Sequence, residues 1–353
     1  MNFCSDNVSG VLPDLLSALI DAADGSAMPY GADAWSERLD RRLSEVFETP
    51  VEVFPVGTGT AANALALWQL TPPFGAVFCH EESHVAVDEC GAPEMFTGGA
   101  KVVGVAGEHG KLDPTGLEAA IGRTGYRMVH RVRPAAVSVT QATEFGTVYT
   151  PAEIADLAAV CRRHGLPLHM DGARFANALA AQGCTPAEMT WRAGVDVLSL
   201  GATKGGAIAA EAVVFLRPGL SNDFAERRKR AGHLASKMRF ASAQLLAWVN
   251  NDLWIRAAGH ANAMARALAD GMAGIPEVRV MAPVESNMVF AALPPDLRDG
   301  LRANGVLFYD WPSETPGLAR FVTHVQTTAT EVTALLETAR RLAAVTPRPS
   351  NPL

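Results

Sequence analysis

Cysteine is scarce in this chain of 353 residues, and its five copies, Cys4, Cys79, Cys90, Cys161 and Cys184, are odd in number and never spaced C-x-x-C. That argues against a disulfide framework and a zinc ribbon, so the thiols are expected to be reduced and mostly buried, with no metal site. Charge is sparse too, at 19%, and 30 Lys and Arg face 37 Asp and Glu, a net −7 that leaves no broad basic field for a nucleic acid. Long apolar runs are missing, because Asn63, Arg162 and Glu211 cut the longest well short of a membrane span. The opening M-N-F-C-S-D-N has neither the basic nor the apolar stretch of an export signal, so a cytoplasmic location with no membrane partner is expected. What is plentiful is apolar character, 48% of residues, enough for a chain of this length to bury roughly three quarters of its extended surface. A disordered or fibrous protein is thereby excluded, and one large domain or about two remain, acting on a small ligand.

Trp35, Leu39, Leu43, Val46 and Phe47 recur at helical spacing and predict a surface helix from Asp33 to Phe47 with Asp33 as its N-cap. Short apolar runs at 51–55, 75–79, 101–105, 134–140, 166–170, 195–200 and 211–216 then alternate with helical stretches, the order of an α/β fold with a mostly parallel, helix-covered sheet. The clearest helix start is T-P-A-E at Thr150–Glu153, a capping box with proline in the first turn. Helical stretches at 219–230, 236–250 and 252–273 are expected to bridge two domains. From Val278 onward short strands (V-R-V-M, M-V-F-A-A, V-L-F-Y, R-F-V-T-H) alternate with helices, ending in a helix over about 328–345, which predicts a smaller α+β domain. The tail T-P-R-P-S-N-P-L, residues 346–353, carries three prolines in eight residues and is expected to be disordered.

Three turns carry candidate chemistry. In F-P-V-G-T-G-T-A-A-N, a strand runs into a glycine-rich turn and a helix, which can aim free N–H groups and a helix dipole at a phosphate. Gly57, Gly59 and Ala62 also satisfy G-x-G-x-x-A, so a dinucleotide site and an ordinary strand-to-helix turn are both open. In L-P-L-H-M-D-G-A-R an apolar strand delivers Asp171 to its C-terminal edge, the ligand side of an open parallel sheet, where it is either a site carboxylate or a helix cap. In D-V-L-S-L-G-A-T-K-G-G a strand brings Lys204 into a turn of small residues. Thr203 precedes it and no glycine opens the loop at the right distance, so it is not a Walker A lysine. Such a placement suits a Schiff-base lysine.

Phosphate turn, strand-end aspartate and strand-end lysine, in that order, are what pyridoxal 5'-phosphate requires: N–H groups for its phosphate, an anion for its ring nitrogen and an amine for its aldehyde. The sequence closely resembles the L-threonine aldolase family of fold type I pyridoxal-phosphate enzymes, or β-eliminating lyases. The likeness rests on F-C-S-D-N, G-T-A-A-N, H-V-A-V-D-E-C-G-A-P-E, T-Q-A-T-E-F-G, H-M-D-G-A-R-F-A-N-A, T-K-G-G, A-S-K-M-R-F and R-F-V-T-H, and spans nearly the whole chain.

The resemblance implies an N-terminal segment (residues 1–30) contributing to the active site, a large cofactor-binding domain (31–250), a small C-terminal domain (251–345), and a homotetramer of dimers with shared active sites. It implies that Lys204 is the Schiff-base lysine, that Asp171 pairs the ring nitrogen, and that Gly59, Thr60 and Ala61 hold the phosphate. His84 would stack on the ring. Ser5, Arg174 and Arg320 would grip the substrate carboxylate, with Arg174 also beside the cofactor and Tyr30 near the substrate. Arg228, in the basic run R-R-K-R at 227–230, would reach a cofactor phosphate across a subunit boundary, a solvated helix face being the alternative.

The implied reaction is cleavage of L-threonine, L-allo-threonine or related β-hydroxy-α-amino acids, phenylserine among them, to glycine and an aldehyde, with His84 or a water it holds taking the hydroxyl proton. Two residues depart from the family pattern: Glu144 stands where many members have a second active-site histidine, and Gly205 stands where relatives often have Asn, with only a local effect expected. On the same fold the rivals are β-elimination, racemisation and transamination. Outside it they are a dinucleotide-dependent oxidoreductase and an inactive interaction protein.

Overall fold

The computed structural model describes residues 1–124 and 128–345, so the expected disordered tail at 346–353 lies outside the described residues. Helices α1 (Pro13–Ala23) and α2 (Ala34–Val46) come first. The Asp33 carboxylate accepts the Ser36 N–H at 2.9 Å, and Leu39, Leu43 and Phe47 turn inward, as the spacing predicts.

The large sheet is built from β1 (Glu52–Val56), β2 (Gly75–His80), β3 (Lys101–Val105), β4 (Arg133–Thr140), β5 (Leu168–Gly172), β6 (Val197–Gly201) and β7 (Glu211–Phe215). Between them lie α3 (Gly59–Leu70), α4 (His84–Val87), α5 (Ala92–Thr97), α6 (Pro114–Arg123), α7 (Pro151–His164), α8 (Phe175–Gln182) and α9 (Pro186–Met189). The strand order is β1-β7-β6-β5-β4-β2-β3. Neighbours from β3 to β6 run parallel, and β7 opposes both β6 and β1. Every position of β2, β5, β6 and β7 is buried, as strands covered on both faces require. The reversal at β7 matters for the site. Residues 202–210, which join β6 to β7, are too few for a parallel crossover but sufficient for an antiparallel return, and Lys204 lies in that short link. The capping box at α7 is present, with Thr150 Oγ1 accepting the Glu153 N–H and Glu153 accepting the Thr150 N–H.

Three further helices follow, α10 (Phe224–Arg230), α11 (Arg239–Val249) and α12 (Leu253–Ala273). The expectation that all three bridge two units needs correction. Helix α10 packs on α3 and α11 on α1 and α2, so both belong to the large sheet's layers. Helix α12 packs on α8 on one side and on the small sheet and its helix on the other. That sheet comprises β8 (Arg279–Val280), β9 (Met288–Ala292), β10 (Tyr309–Asp310) and β11 (Leu318–Val322), all antiparallel in the order β10-β11-β9-β8, with α13 (Pro295–Ala303) and α14 (Ala329–Val345). The start of the chain joins this second unit: the Phe3 N–H donates to the Leu307 carbonyl and the Val322 N–H to the Phe3 carbonyl, each at 2.8 Å. All five cysteines are free. Cys79 and Cys161 are buried, Cys4 and Cys184 are partly covered and Cys90 is exposed, so fewer are buried than expected. Among the described residues, no helix is long and apolar enough to cross a membrane.

Within the sheet, His169 on β5 is fully buried and bonded on both nitrogens, to Ser138 Oγ on β4 and Ser199 Oγ on β6, each at 2.9 Å. Burial pushes its imidazole down from 6.5 to about 4, outweighing the nearby Asp171 charge. A folded pKa below the unfolded one means stability that is present above pH 6.5 and lost as pH falls towards 4, on the order of 3 kcal/mol. Chemical denaturation across that range should show this decline in the native chain. His169→Gln should be less stable at pH 7 and lack that component of the slope; an identical slope in both proteins would assign the acid sensitivity elsewhere.

Candidate active site

The carboxyl ends of β4, β5 and β6 and the start of α3 enclose a cavity of about 360 Å³, a size usual for small-molecule sites. Gly59, Thr60, His84, Asp171, Arg174 and Lys204, from four separate stretches of sequence, all line it.

Helix α3 begins at its edge. Thr58 is the N-cap, its Oγ1 accepting the Ala61 N–H at 3.1 Å, while its carbonyl accepts the Ala62 N–H at 3.0 Å. The N–H groups of Gly59 and Thr60, first in the helix, have no preceding turn to bond to, so they and the dipole can serve an anion. A Cβ added at Gly59 would meet nothing within 4 Å, which leaves open space there. Ala61 differs from its two neighbours: its N–H is committed to the cap and the residue is buried outside the cavity wall.

Polar residues rarely enter an all-apolar helix face without partners, and Asn63 is the polar residue in the buried run Ala61–Leu67. Its Nδ2 donates to Glu89 Oε1 and to Asp171 Oδ2, both at 2.8 Å. Asp171 Oδ1 accepts the Ala173 N–H at 3.0 Å, so this buried carboxylate is held on both oxygens and does not cap α8, whose N-cap is Arg174. Glu89 Oε1 also meets His84 Nδ1 at 2.9 Å. A continuous chain, His84–Glu89–Asn63–Asp171, thus runs under the cavity. Burial holds the Glu89 carboxyl above its usual range, and the bond to Glu89 raises the His84 pKa against the opposing effect of burial. Sequence reasoning assigned no role to Asn63 or Glu89, although both lie inside the motifs that carried the resemblance.

Lys204 occupies a short 3-10 turn, Thr203–Gly205, at the end of β6. Beneath it Glu211 is pushed up from 4.5 to about 7 by burial and accepts the Ala202 N–H at 3.1 Å. The effect at Gly205 is local, as expected, and it is steric. A Cβ there would stand 2.7 Å from Trp248 Nε1, whose N–H donates to the Gly205 carbonyl at 3.2 Å, so a larger residue requires Trp248 to move.

The arginines are unequal. Arg174 is buried and donates Nε to Asp6 Oδ2 at 2.7 Å and an Nη2 hydrogen to Asp6 Oδ1 at 3.0 Å, while Asn287 Nδ2 donates to Asp6 Oδ2 at 3.0 Å. Burial works against the Asp6 charge, but the Arg174 guanidinium outweighs it and holds the carboxyl below its usual range. Arg320, on β11, lies over the rings of Trp311 and Tyr309, and its buried Nε has no hydrogen-bond partner. Burial first, then the Arg174 charge, pull its pKa down, the signature of a cation lacking an anion.

Other expected residues lie apart from the cavity wall. Ser5 caps the short turn Asp6–Val8, accepting the Asn7 N–H at 3.2 Å, and it is Asn7 that lines the cavity. Tyr30 is exposed, under the Lys229 ammonium at 4.7 Å. Arg228 is not on a solvated face: it is buried, over the Phe54 ring, and donates to the Pro55 carbonyl at 3.2 Å. Asp6→Asn should cost about 3–5 kcal/mol by stranding the buried Arg174 charge. Thermal denaturation would register this as a large fall in Tm, and an unchanged Tm would mean that Arg174 finds another anion.

The family model for beta-eliminating lyases matches residues 2–294. A low specificity L-threonine aldolase of Pseudomonas aeruginosa is 46% identical over 321 residues, covering 91% of both chains. The low specificity L-threonine aldolase of Saccharomyces cerevisiae is 26% identical over 85% of this chain and 78% of its own. Among solved structures, Leishmania major threonine aldolase superimposes with a TM-score of 0.91 at 29% identity, over 97% of this chain and 99% of that one. Mouse CSAD, at 17% identity and a TM-score of 0.76 over 97% and 84%, shares the fold. Sequence and architecture agree, and the chain belongs to the beta-eliminating lyase family, in its threonine aldolase branch.

Proposed function

We propose that this protein is a pyridoxal-phosphate-dependent aldolase that cleaves L-threonine, L-allo-threonine and related β-hydroxy-α-amino acids to glycine and an aldehyde. One observation carries the reading: a helix N-terminus, a doubly held aspartate and a lysine converge on a single cavity. That donor set fits the cofactor, with the Gly59 and Thr60 N–H groups for its phosphate, Asp171 for its ring nitrogen and Lys204 for its aldehyde. When bound, pyridoxal phosphate supplies an electron sink for the negative charge left on Cα of an amino acid.

The protein's own groups do the rest. Arg320, lacking an anion, and the N–H groups of Arg174 that Asp6 does not use are suited to the substrate carboxylate, and fixing it sets which bond at Cα can break. With Nδ1 engaged by Glu89, the His84 ring is held in one orientation and Nε2 is the nitrogen left to handle the β-hydroxyl proton. The raised pKa makes that nitrogen a better base, whereas protonation at low pH removes it. The same reading assigns residues 31–250 to a cofactor-binding domain, 251–345 to a smaller domain and 1–30 to the site's edge. It also assigns the chain to the cytoplasm and to a homotetramer, which the exposed Leu16, Ile20 and Met28 near its start support.

The test is direct. The native protein should carry a visible cofactor band that borohydride bleaches, and Lys204→Ala should lose both band and aldol cleavage; retention of both would remove Lys204 from the site. His84→Phe should keep the band but lose roughly 10² to 10⁴ in cleavage and blur the preference between L-threonine and L-allo-threonine. Equal kcat/KM values and an unchanged ratio would assign the hydroxyl proton to another group.

A further inference from the structure

The charges around the cavity nearly all have partners. His84 faces Glu89, Arg174 faces Asp6, Lys204 lies in the field of Glu211, and Asp171 is held by Asn63 and the Ala173 N–H. Arg320 and Glu144, opposite in charge, have no ion-pair or side-chain hydrogen-bond partner among the described residues. Glu144 lines the cavity, and its Oε1 accepts the His84 main-chain N–H at 3.3 Å. Among the described residues it forms no ion pair, yet its charge acts on His84, Arg174 and Arg320, so it stands near all three.

Next to Glu144 in the chain the packing is apolar. Phe145 packs against Phe290 and Trp311 with ring centroids 5.5 and 6.2 Å apart, and Trp311 in turn lies under Arg320. An amino acid whose α-carboxylate neutralises Arg320 would leave Glu144 as the uncompensated charge beside the β-substituent. We propose that Glu144 is a specificity-determining residue: it restricts the β-substituent to uncharged alkyl and aryl groups and rejects acidic side chains by like-charge repulsion. This rests on the reading of the cavity as an amino-acid site.

Isosteric probes that lack a β-hydroxyl, and so are not cleaved as aldols, separate charge from shape. Dissociation constants of glycine, L-asparagine and L-aspartate are measured by titration calorimetry on the cofactor-loaded native enzyme and on Glu144→Gln, which retains an acceptor for the His84 N–H. The native enzyme should favour asparagine over aspartate by about 10- to 100-fold, as like charges in a partly desolvated pocket imply. In Glu144→Gln that ratio should collapse to within about threefold while glycine binds no more weakly than to the native enzyme, since losing a negative charge near Arg174 and Arg320 does not weaken their pull on an α-carboxylate. Glycine binding with an unchanged aspartate-to-asparagine ratio in the variant would overturn the charge selection alone. A native enzyme that binds no glycine would overturn the amino-acid reading and this proposal with it.

Discussion

The buried pair between Asp6 and Arg174 is the constraint on which the rest of the site depends. Taking two charges out of water costs several kcal/mol each, and only good geometry recovers it. Here the guanidinium fork meets both carboxylate oxygens, and Asn287 adds a further donor. The three residues come from the first turn of the chain, the start of α8 above the large sheet, and the segment leading into β9 of the small one. One desolvated ion pair therefore registers three otherwise separate pieces against each other, and it does so at the cavity's edge, because Arg174 is also part of its wall.

A second organising feature is the hydrogen-bonded chain from His84 through Glu89 and Asn63 to Asp171. Two buried carboxylates share one amide, so neither is stranded, and their charges are spread over donors rather than neutralised by a lysine or arginine. Such a network rigidifies to the extent that its members are satisfied, and here Glu89 Oε2 and Asn63 Oδ1 are buried without a hydrogen-bond partner. Its outcome is to couple the His84 ring with the Asp171 carboxylate, both on the cavity wall, through Glu89 and Asn63.

Local chemistry was the legible part of the sequence. The α2 cap, the α7 capping box, the strand runs, and the positions of Asp171 and Lys204 at strand ends all depend on neighbours a few residues away. What stayed hidden was fixed by distance along the chain: Asp6 lies 168 residues from Arg174, and Asn63 lies 108 from Asp171. A usable trace of Asn63 did exist, a single amide within A-A-N-A-L-A-L, since a polar residue in a buried helix needs partners. Ser5 drew notice in F-C-S-D-N although it caps a turn, while its neighbour Asp6 makes the ion pair. Arg228 resembled a solvated charge because a run of four cations conceals that one points inward, onto Phe54. The neighbour that gives Gly205 its local effect, Trp248, is 43 residues downstream and outside the motif.

The unpaired Arg320 has a consequence beyond recognition. A half-buried cation whose Nε has no hydrogen-bond partner, and whose pKa burial and the Arg174 charge pull down, is stabilised by an anion that reaches it. Stability and occupancy are then thermodynamically linked, and small carboxylates in general, not only substrates, supply the same stabilisation. Acetate or citrate in a buffer would act as a weak competitor and as a mild stabiliser together. The resting protein in a medium rich in organic acids would accordingly be a partly occupied one, its affinity for amino acids set against that background.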